Sequence, residues 1–110
     1  MIWAIIPAAG RGIRTGSEIP KQYQTLLGRP MLHYALDVLS GHPDIDGIML
    51  ALASNDSRWQ GIDQWRSKML RTCIGGAERS ESVLSAITAL DDVLDSDDHV
   101  LVHDAARPCL

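Results

Sequence analysis

Cysteine is scarce in this chain. The only two, Cys73 and Cys109, stand far apart with no metal-ligand spacing between them. That excludes a disulfide framework or a cysteine-held metal as an organising device, and reduced thiols in a cytoplasmic protein are the expectation. Either residue fits a small core position, and neither is assigned a role. Long apolar runs are missing too: the N-terminal one stops at Ala9, too short to span a membrane, and no basic n-region marks it for secretion. Positive charge is not in excess, since ten Lys and Arg face fourteen Asp and Glu for a net charge of -4. With no basic face evident, nonspecific nucleic-acid binding is excluded. Repeats and low-complexity segments are absent, and so is phenylalanine, from which nothing follows. What remains is 110 residues, 45% apolar, which holds one globular domain at most with a modest core.

Against this acidic background one stretch reverses sign. The apolar run Met1 to Ile6 feeds Pro7-Ala8-Ala9-Gly10-Arg11-Gly12-Ile13-Arg14, followed by Pro20-Lys21-Gln22-Tyr23. Arg11, Arg14 and Lys21 outnumber Glu18 there. Small residues after a buried strand let the backbone approach a ligand closely, with amide groups turned toward phosphate oxygens. An anionic, phosphorylated substrate is the reading. The loop is not a P-loop, because no Gly-Lys-Ser/Thr follows the glycines. Nor is it the dinucleotide fingerprint, whose third glycine position holds Thr15. An ordinary basic surface loop is the competing reading, disfavoured because loops of this length usually carry function.

Hydrophobic periodicity predicts four strands alternating with three helices. The strands are Ile2 to Ile6, Ile48 to Ala53, Arg71 to Ile74 and His99 to His103. The first helix starts at Pro30, carries Leu32, Ala35, Leu36 and Leu39 as its apolar stripe, and stops at Gly41. The second is capped by Asp56 or Ser57 and aligns Trp59, Ile62, Trp65 and Met69, with the tryptophans read as core rather than as a stacking platform. The third runs from about Ser80 to Leu94, with Val83, Ile87, Leu90 and Leu94 inward. Such alternation implies right-handed crossovers and a parallel sheet covered on both faces. Ligands then collect beyond the carboxyl ends of the strands, where strand order reverses. The segments that follow the strands, at Pro7 to Tyr23, Ser54 to Asp56, Gly75 to Ser82 and Asp104 to Pro108, are those rich in small and charged residues.

Two of these segments admit two readings each. Gly75-Gly76-Ala77-Glu78-Arg79-Ser80-Glu81-Ser82 either offers amides and the Ser82 hydroxyl to a base or ribose, or is a plain helix start whose acidic residues suit the dipole. In His103-Asp104-Ala105-Ala106-Arg107-Pro108, Asp104 either shares Mg²⁺ with phosphates or is a turn carboxylate paired with Arg107. His103 packs or orients its neighbours rather than acting as a base. The acidic run Asp91, Asp92, Asp95, Asp97 and Asp98 fails the EF-hand pattern, with Val100 where glycine is required and Ala106 in place of the bidentate glutamate. It reads as a solvated helix end.

Together, Pro7-Ala8-Ala9-Gly10-x-Gly12-x-Arg14, Pro20-Lys21-Gln22-Tyr23, Gly75-Gly76-x-Glu78-Arg79-x-x-Ser82-Val83 and Val102-His103-Asp104-Ala105-Ala106-Arg107-Pro108 form a series. In order and spacing it resembles the N-terminal half of the 2-C-methyl-D-erythritol 4-phosphate cytidylyltransferases of non-mevalonate isoprenoid biosynthesis. The resemblance implies a Rossmann-like α/β fold of the nucleotide-diphospho-sugar transferase type, truncated, with residues 1–110 as the nucleotide-binding half of a single domain. It implies transfer of CMP from CTP to methylerythritol phosphate with release of pyrophosphate. Arg14 and Lys21 would be catalytic. Pro7, Ala8, Ala9, Gly10, Arg11 and Gly12 would line the nucleotide, Gly76, Ala77 and Ser82 would reach its cytosine and ribose, and Asp104 would contact it and hold Mg²⁺. CTP and an alditol phosphate are the implied partners, with no nucleic acid or membrane, and a homodimer is implied for the full-length family. Family members are longer, so the alditol-phosphate pocket, a further lysine, a further metal-binding aspartate and the dimerisation arm are expected beyond Leu110. Ala77 stands where relatives often carry Asp, which a backbone contact would survive. Ribitol-5-phosphate cytidylyltransferases are the nearest alternative, but they tend to open with Ala-Gly-Gly, and Pro7-Ala8-Ala9-Gly10 favours methylerythritol phosphate. A non-catalytic nucleotide-binding half-domain is the alternative of another class.

Overall fold

A computed structural model of the chain describes residues 1–9, 21–56, 59 and 69–104. Its centre is β1 (Ile2–Ala8), paired in parallel on one side with β4 (Gly47–Leu52) and on the other with β6 (His99–Val102). Beyond β4 lies β5 (Met69–Ile74), also parallel, giving the order β5-β4-β1-β6. Chain order therefore runs outward from β1 to β5 and then jumps back across to β6. The parallel sheet is the one expected, and each strand lies within two residues of its predicted bounds.

Side chains alternate across β1 and β4, so each strand feeds two cores. Ala4, Ile6, Ala8, Ile48 and Leu50 face α1 (Met31–Ser40), which contributes Leu32, Leu36 and Leu39. The predicted stripe of α1 is buried at all four positions, and Pro30 and Gly41 stand at its two ends. Trp59 packs on the same cluster, which agrees with its reading as core. Ile62 and Trp65 lie outside the described residues. Met69 is a correction: it opens β5 opposite Gly47 instead of closing a helix. Its helical spacing from Trp65 is incidental to where the chain re-enters the sheet.

The opposite face is covered by α2 (Arg79–Ala89), through Ala86 and the following Leu90 against Trp3, Ile5 and Met49. The helix is shorter than expected and rotated. It ends before Asp91 and Asp92, whose charge opposes the helix dipole at that end. Leu94 follows in a turn, though it still packs on the cluster, and Ile87 faces solvent. The buried positions of α2 are Ser82 and Ala86, both small. The fully buried Trp3 indole already fills that layer, leaving little room for larger residues.

Trp3 also explains Gly47, its partner across the β1–β4 ladder. A Cβ on Gly47 would lie 2.7 Å from three atoms of the indole's six-membered ring. At the amino ends of the strands, carboxylates close the sheet. Asp46 accepts the Ile2 N–H at 2.7 Å and Asp98 meets the Met1 ammonium at 2.6 Å. The Asp95 amide and that ammonium hold the Asp98 carboxyl below the ordinary carboxylate range. Asp92 pairs with Arg71 at 3.4 Å, so part of the acidic run is tied to the sheet.

The sequence reading missed a hairpin, β2 (Thr25–Leu26) and β3 (Arg29–Pro30). Its two-residue turn puts positive φ on both Leu27 (53°) and Gly28 (83°). Such turns ordinarily announce themselves as Asn-Gly, and leucine hides the signal. Arg29 ties the hairpin to α1, lying 2.7 Å from Asp37 and 5.0 Å from the Tyr34 ring centroid. No helix among the described residues is long and apolar enough to cross a membrane.

Two stability outcomes follow from these contacts. Gly47→Ala forces the added methyl into the Trp3 ring, and denaturant unfolding should show a loss of about 1–3 kcal/mol. Leu27→Asn should raise unfolding stability by about 1 kcal/mol, because leucine is strained at positive φ where asparagine is tolerated. At 91% exposed, Leu27 gives up almost no burial in the exchange.

Candidate functional site

The switch point lies between β1 and β6, and Pro7 shapes it. The Ile5 carbonyl accepts the His103 N–H at 2.9 Å, so alternate residues of β1, Ile5 and then Pro7, turn toward β6. In a parallel ladder the next rung would run from the residue 7 N–H to the His103 carbonyl. Proline has no N–H to give. The β1–β6 pairing ends at Ile5 and Val102, and Asp104 stands just past the end of β6, beside the carboxyl end of β1. This is where an open α/β sheet takes its ligand.

Three further segments meet the near side. Gln22, itself buried, donates from Nε2 to the Ala8 carbonyl at 2.9 Å. That bond draws the 3₁₀ turn Lys21–Tyr23 against the end of β1. Tyr23 donates its hydroxyl to Asp56 Oδ2 at 2.6 Å, and Asp56 Oδ1 accepts the Trp59 N–H at 3.0 Å. The second is the bond a helix cap makes, in line with the cap predicted at Asp56. From β5, Gly75 donates its N–H to the Leu52 carbonyl at 2.8 Å and comes against Ala9. A Cβ on Gly75 would sit 2.5 Å from Ser82 Oγ and 2.7 Å from the Ala9 methyl. The loops after β1 and β5 thus touch at a point where only glycine fits.

Ser82 is fully buried, and its hydroxyl is spoken for. Oγ lies 3.2 Å from the Gly76 amide, whose N–H it accepts, and 3.3 Å from the Gly76 carbonyl, to which it donates. It latches the Gly75-Gly76 bend to the first turn of α2. Ala77 is exposed at the top of that bend. Asp104 Oδ1 lies 3.4 Å from Arg79 Nε. Both groups are well exposed, so the pair adds little stability. It does show that the carboxylate draws positive charge across the switch point.

Of the residues expected at the site, Pro7, Ala8, Ala9, Gly76, Ala77 and Asp104 lie at this end of the sheet, whereas Ser82 is buried beneath it with its hydroxyl bonded to Gly76 and not presented to a base or ribose. Lys21 begins the turn that Gln22 anchors. Gly10, Arg11, Gly12 and Arg14 lie outside the described residues, as does Arg107, the alternative partner of Asp104. Gln22, Tyr23 and Arg79 had no assigned role, and Asp56 only that of a helix cap. For Gln22 the signal was its place beside Lys21 in a segment already singled out. Cys73 sits half-buried against the Trp3 cluster, where burial pushes its thiol up, as suits a packing residue.

The donor set bears on the metal. Among the described residues no group of three or more His, Cys, Asp or Glu side chains could hold an ion by itself. A zinc or calcium cage does not fit. A single partly exposed carboxylate such as Asp104 does fit Mg²⁺, which takes one or two protein oxygens and fills its shell with phosphates and water.

Comparison with known proteins bears on the identity of this rim. The family model of 2-C-methyl-D-erythritol 4-phosphate cytidylyltransferase (IspD) matches residues 2–110. The enzyme of that name from Xylella fastidiosa strain M23 is 51% identical over 107 residues, covering 97% of this chain and 46% of that protein. Its counterpart from Xanthomonas axonopodis pv. citri is 52% identical over 109 residues, 99% of this chain and 41% of that one. The crystal structure of the Francisella tularensis enzyme superposes with a TM-score of 0.73 at 38% identity, over 98% of this chain and 45% of that chain. The chain spans less than half the length of the curated relatives it matches. Matched by one family from its second residue to its last, the chain belongs to the 2-C-methyl-D-erythritol 4-phosphate cytidylyltransferase (IspD) family.

Proposed function

We propose that this chain is the nucleotide-binding half of a cytidylyltransferase domain that moves CMP from CTP to methylerythritol phosphate. A phosphate oxygen of the acceptor attacks the α-phosphorus of CTP, the new O–P bond forms, and the bond to the β-phosphate oxygen breaks to release pyrophosphate. The observation that carries this reading is the meeting of Ala9, Gly75 and Ser82 at the carboxyl end of β1, with Asp104 at the end of the adjacent β6. Small residues there leave room for a nucleotide against backbone, and the Ser82 latch fixes the bend that would face its base.

The protein's share of such a reaction is positioning and charge stabilisation. Lys21 opens a turn fixed by the buried Gln22–Ala8 hydrogen bond, and Arg14 belongs to the cationic sequence that follows β1. Both would stabilise charge on the phosphates during bond exchange. A Mg²⁺ ion, when bound, would neutralise phosphate charge and would be held by Asp104. Arg79 supplies the positive charge at that carboxylate otherwise. A cytoplasmic location and reduced thiols accompany this reading. Ribitol 5-phosphate as acceptor is the second reading, and Pro7 is the residue that speaks against it, since the Ala-Gly-Gly opening puts no proline before the loop.

The chain alone should bind CTP with Mg²⁺ in calorimetric titration. Gly75→Ala should weaken that binding about tenfold, because the methyl displaces both Ser82 and Ala9 and distorts the bend by the amount that overpacking usually costs. Turnover is best read as pyrophosphate release from CTP, Mg²⁺ and methylerythritol phosphate, with this chain joined to the remaining portion of a full-length relative. Lys21→Ala should lower that turnover by ~10²–10³ while the protein stays folded. Near-normal turnover in the variant would remove Lys21 from the mechanism, and no CTP binding by the chain would overturn the reading.

A further inference from the structure

Asp104 stands one residue beyond the last rung between β1 and β6. The sheet would have held this corner through a bond from residue 7 to the His103 carbonyl, and Pro7 forbids it. A different bond acts at the corner. His103 Nδ1 lies 2.7 Å from the carbonyl oxygen of Asp104. A carbonyl can only accept, so Nδ1 is the donor in this contact. The His103 residue is 7% exposed, and Nε2 is buried with no hydrogen-bond partner among the described residues.

Burying that nitrogen costs free energy that an apolar side chain of similar size would avoid. An imidazole here is therefore explained by its Nδ1 bond and not by packing. We infer that His103 is a positioning residue: its Nδ1–H clamps the Asp104 carbonyl and so sets the carboxylate at the rim, where Arg79 meets it. The clamp stands at the rung where Pro7 has no N–H to give to the His103 carbonyl. This inference rests on the reading of Asp104 as the carboxylate that meets the nucleotide's Mg²⁺.

The test compares CTP affinity of the 110-residue chain in Mg²⁺ and in EDTA by calorimetry, with folding checked by circular dichroism. The quantity read is the gain in affinity that Mg²⁺ brings, and Asp104→Asn sets its floor. His103→Asn places an amide nitrogen where Nδ1 stands and should keep most of the gain. His103→Gln carries its amide nitrogen out to the Nε2 position, leaves the carbonyl unclamped, and should lose about tenfold of the gain, as when a partner behind a metal ligand is removed. Affinity in EDTA should be unchanged in both. A full Mg²⁺ gain in His103→Gln would overturn the inference, and so would equal losses in both variants, which mark a packing role. Wild-type chain that binds CTP without any Mg²⁺ gain would overturn the role of Asp104 and this inference with it. A wild-type chain that binds no CTP at all would instead overturn the functional reading on which both stand.

Discussion

A strand that is paired along both edges and covered on both faces has nowhere to move. β1 is in that position: β4 and β6 take its two edges, and its alternate side chains are divided between the α1 cluster and the Trp3 cluster. Residues 3 to 6 are fully buried as a result. Every part of the rim takes its place from the carboxyl end of this strand. Gln22 bonds to the Ala8 carbonyl, Gly75 packs on Ala9, and β6 follows β1 as far as Ile5 before it departs. The segments that meet here gain their placement from the immobility of the strand that precedes them.

Strand order turns that anchor into a site. Had β6 been added beyond β5, β1 would be an edge and the loops after β1 and β6 would lie at opposite ends of the sheet. The jump back across β1 sets them side by side. Pro7 then ends the ladder one rung early, because it has no N–H for the His103 carbonyl. A residue poorly suited to the middle of a sheet is suited to the place where a sheet must open.

How much of this was legible in the sequence varies with the physical signal. The parallel sheet was readable because runs such as Ile48 to Ala53 are apolar on both faces, and α1 because Leu32, Ala35, Leu36 and Leu39 repeat at helical spacing. The inward face of α2 was not readable from hydrophobicity, because Ser82 and Ala86 are buried for their size while Ile87 and Leu84 are exposed. Met69 fitted a helical stripe by accident of spacing. The hairpin at 25–30 was hidden because leucine occupies a position that normally advertises itself with asparagine or glycine. At the rim, small residues and a lone aspartate were visible as motifs, but their partners were not. Nothing in the order of residues says that Ser82 latches Gly76, that Arg79 reaches Asp104, or that Pro7 and His103 would have shared a rung.

The two edges of β1 also differ in when they can be filled. β4 follows β1 after one helix, so that pairing closes a modest loop, whereas the Met1–Asp98 contact at the start of the β6 edge joins residues 97 apart in sequence. Pairing across such separations slows folding, because the chain entropy must be surrendered before the contacts reward it. On a ribosome the second edge of β1 stays bare until nearly a hundred residues have emerged. Through that interval a strand made of apolar residues presents an open ladder to any other nascent chain, and the strand order that places β6 beside β1 is also the one that leaves synthesis exposed to misassembly.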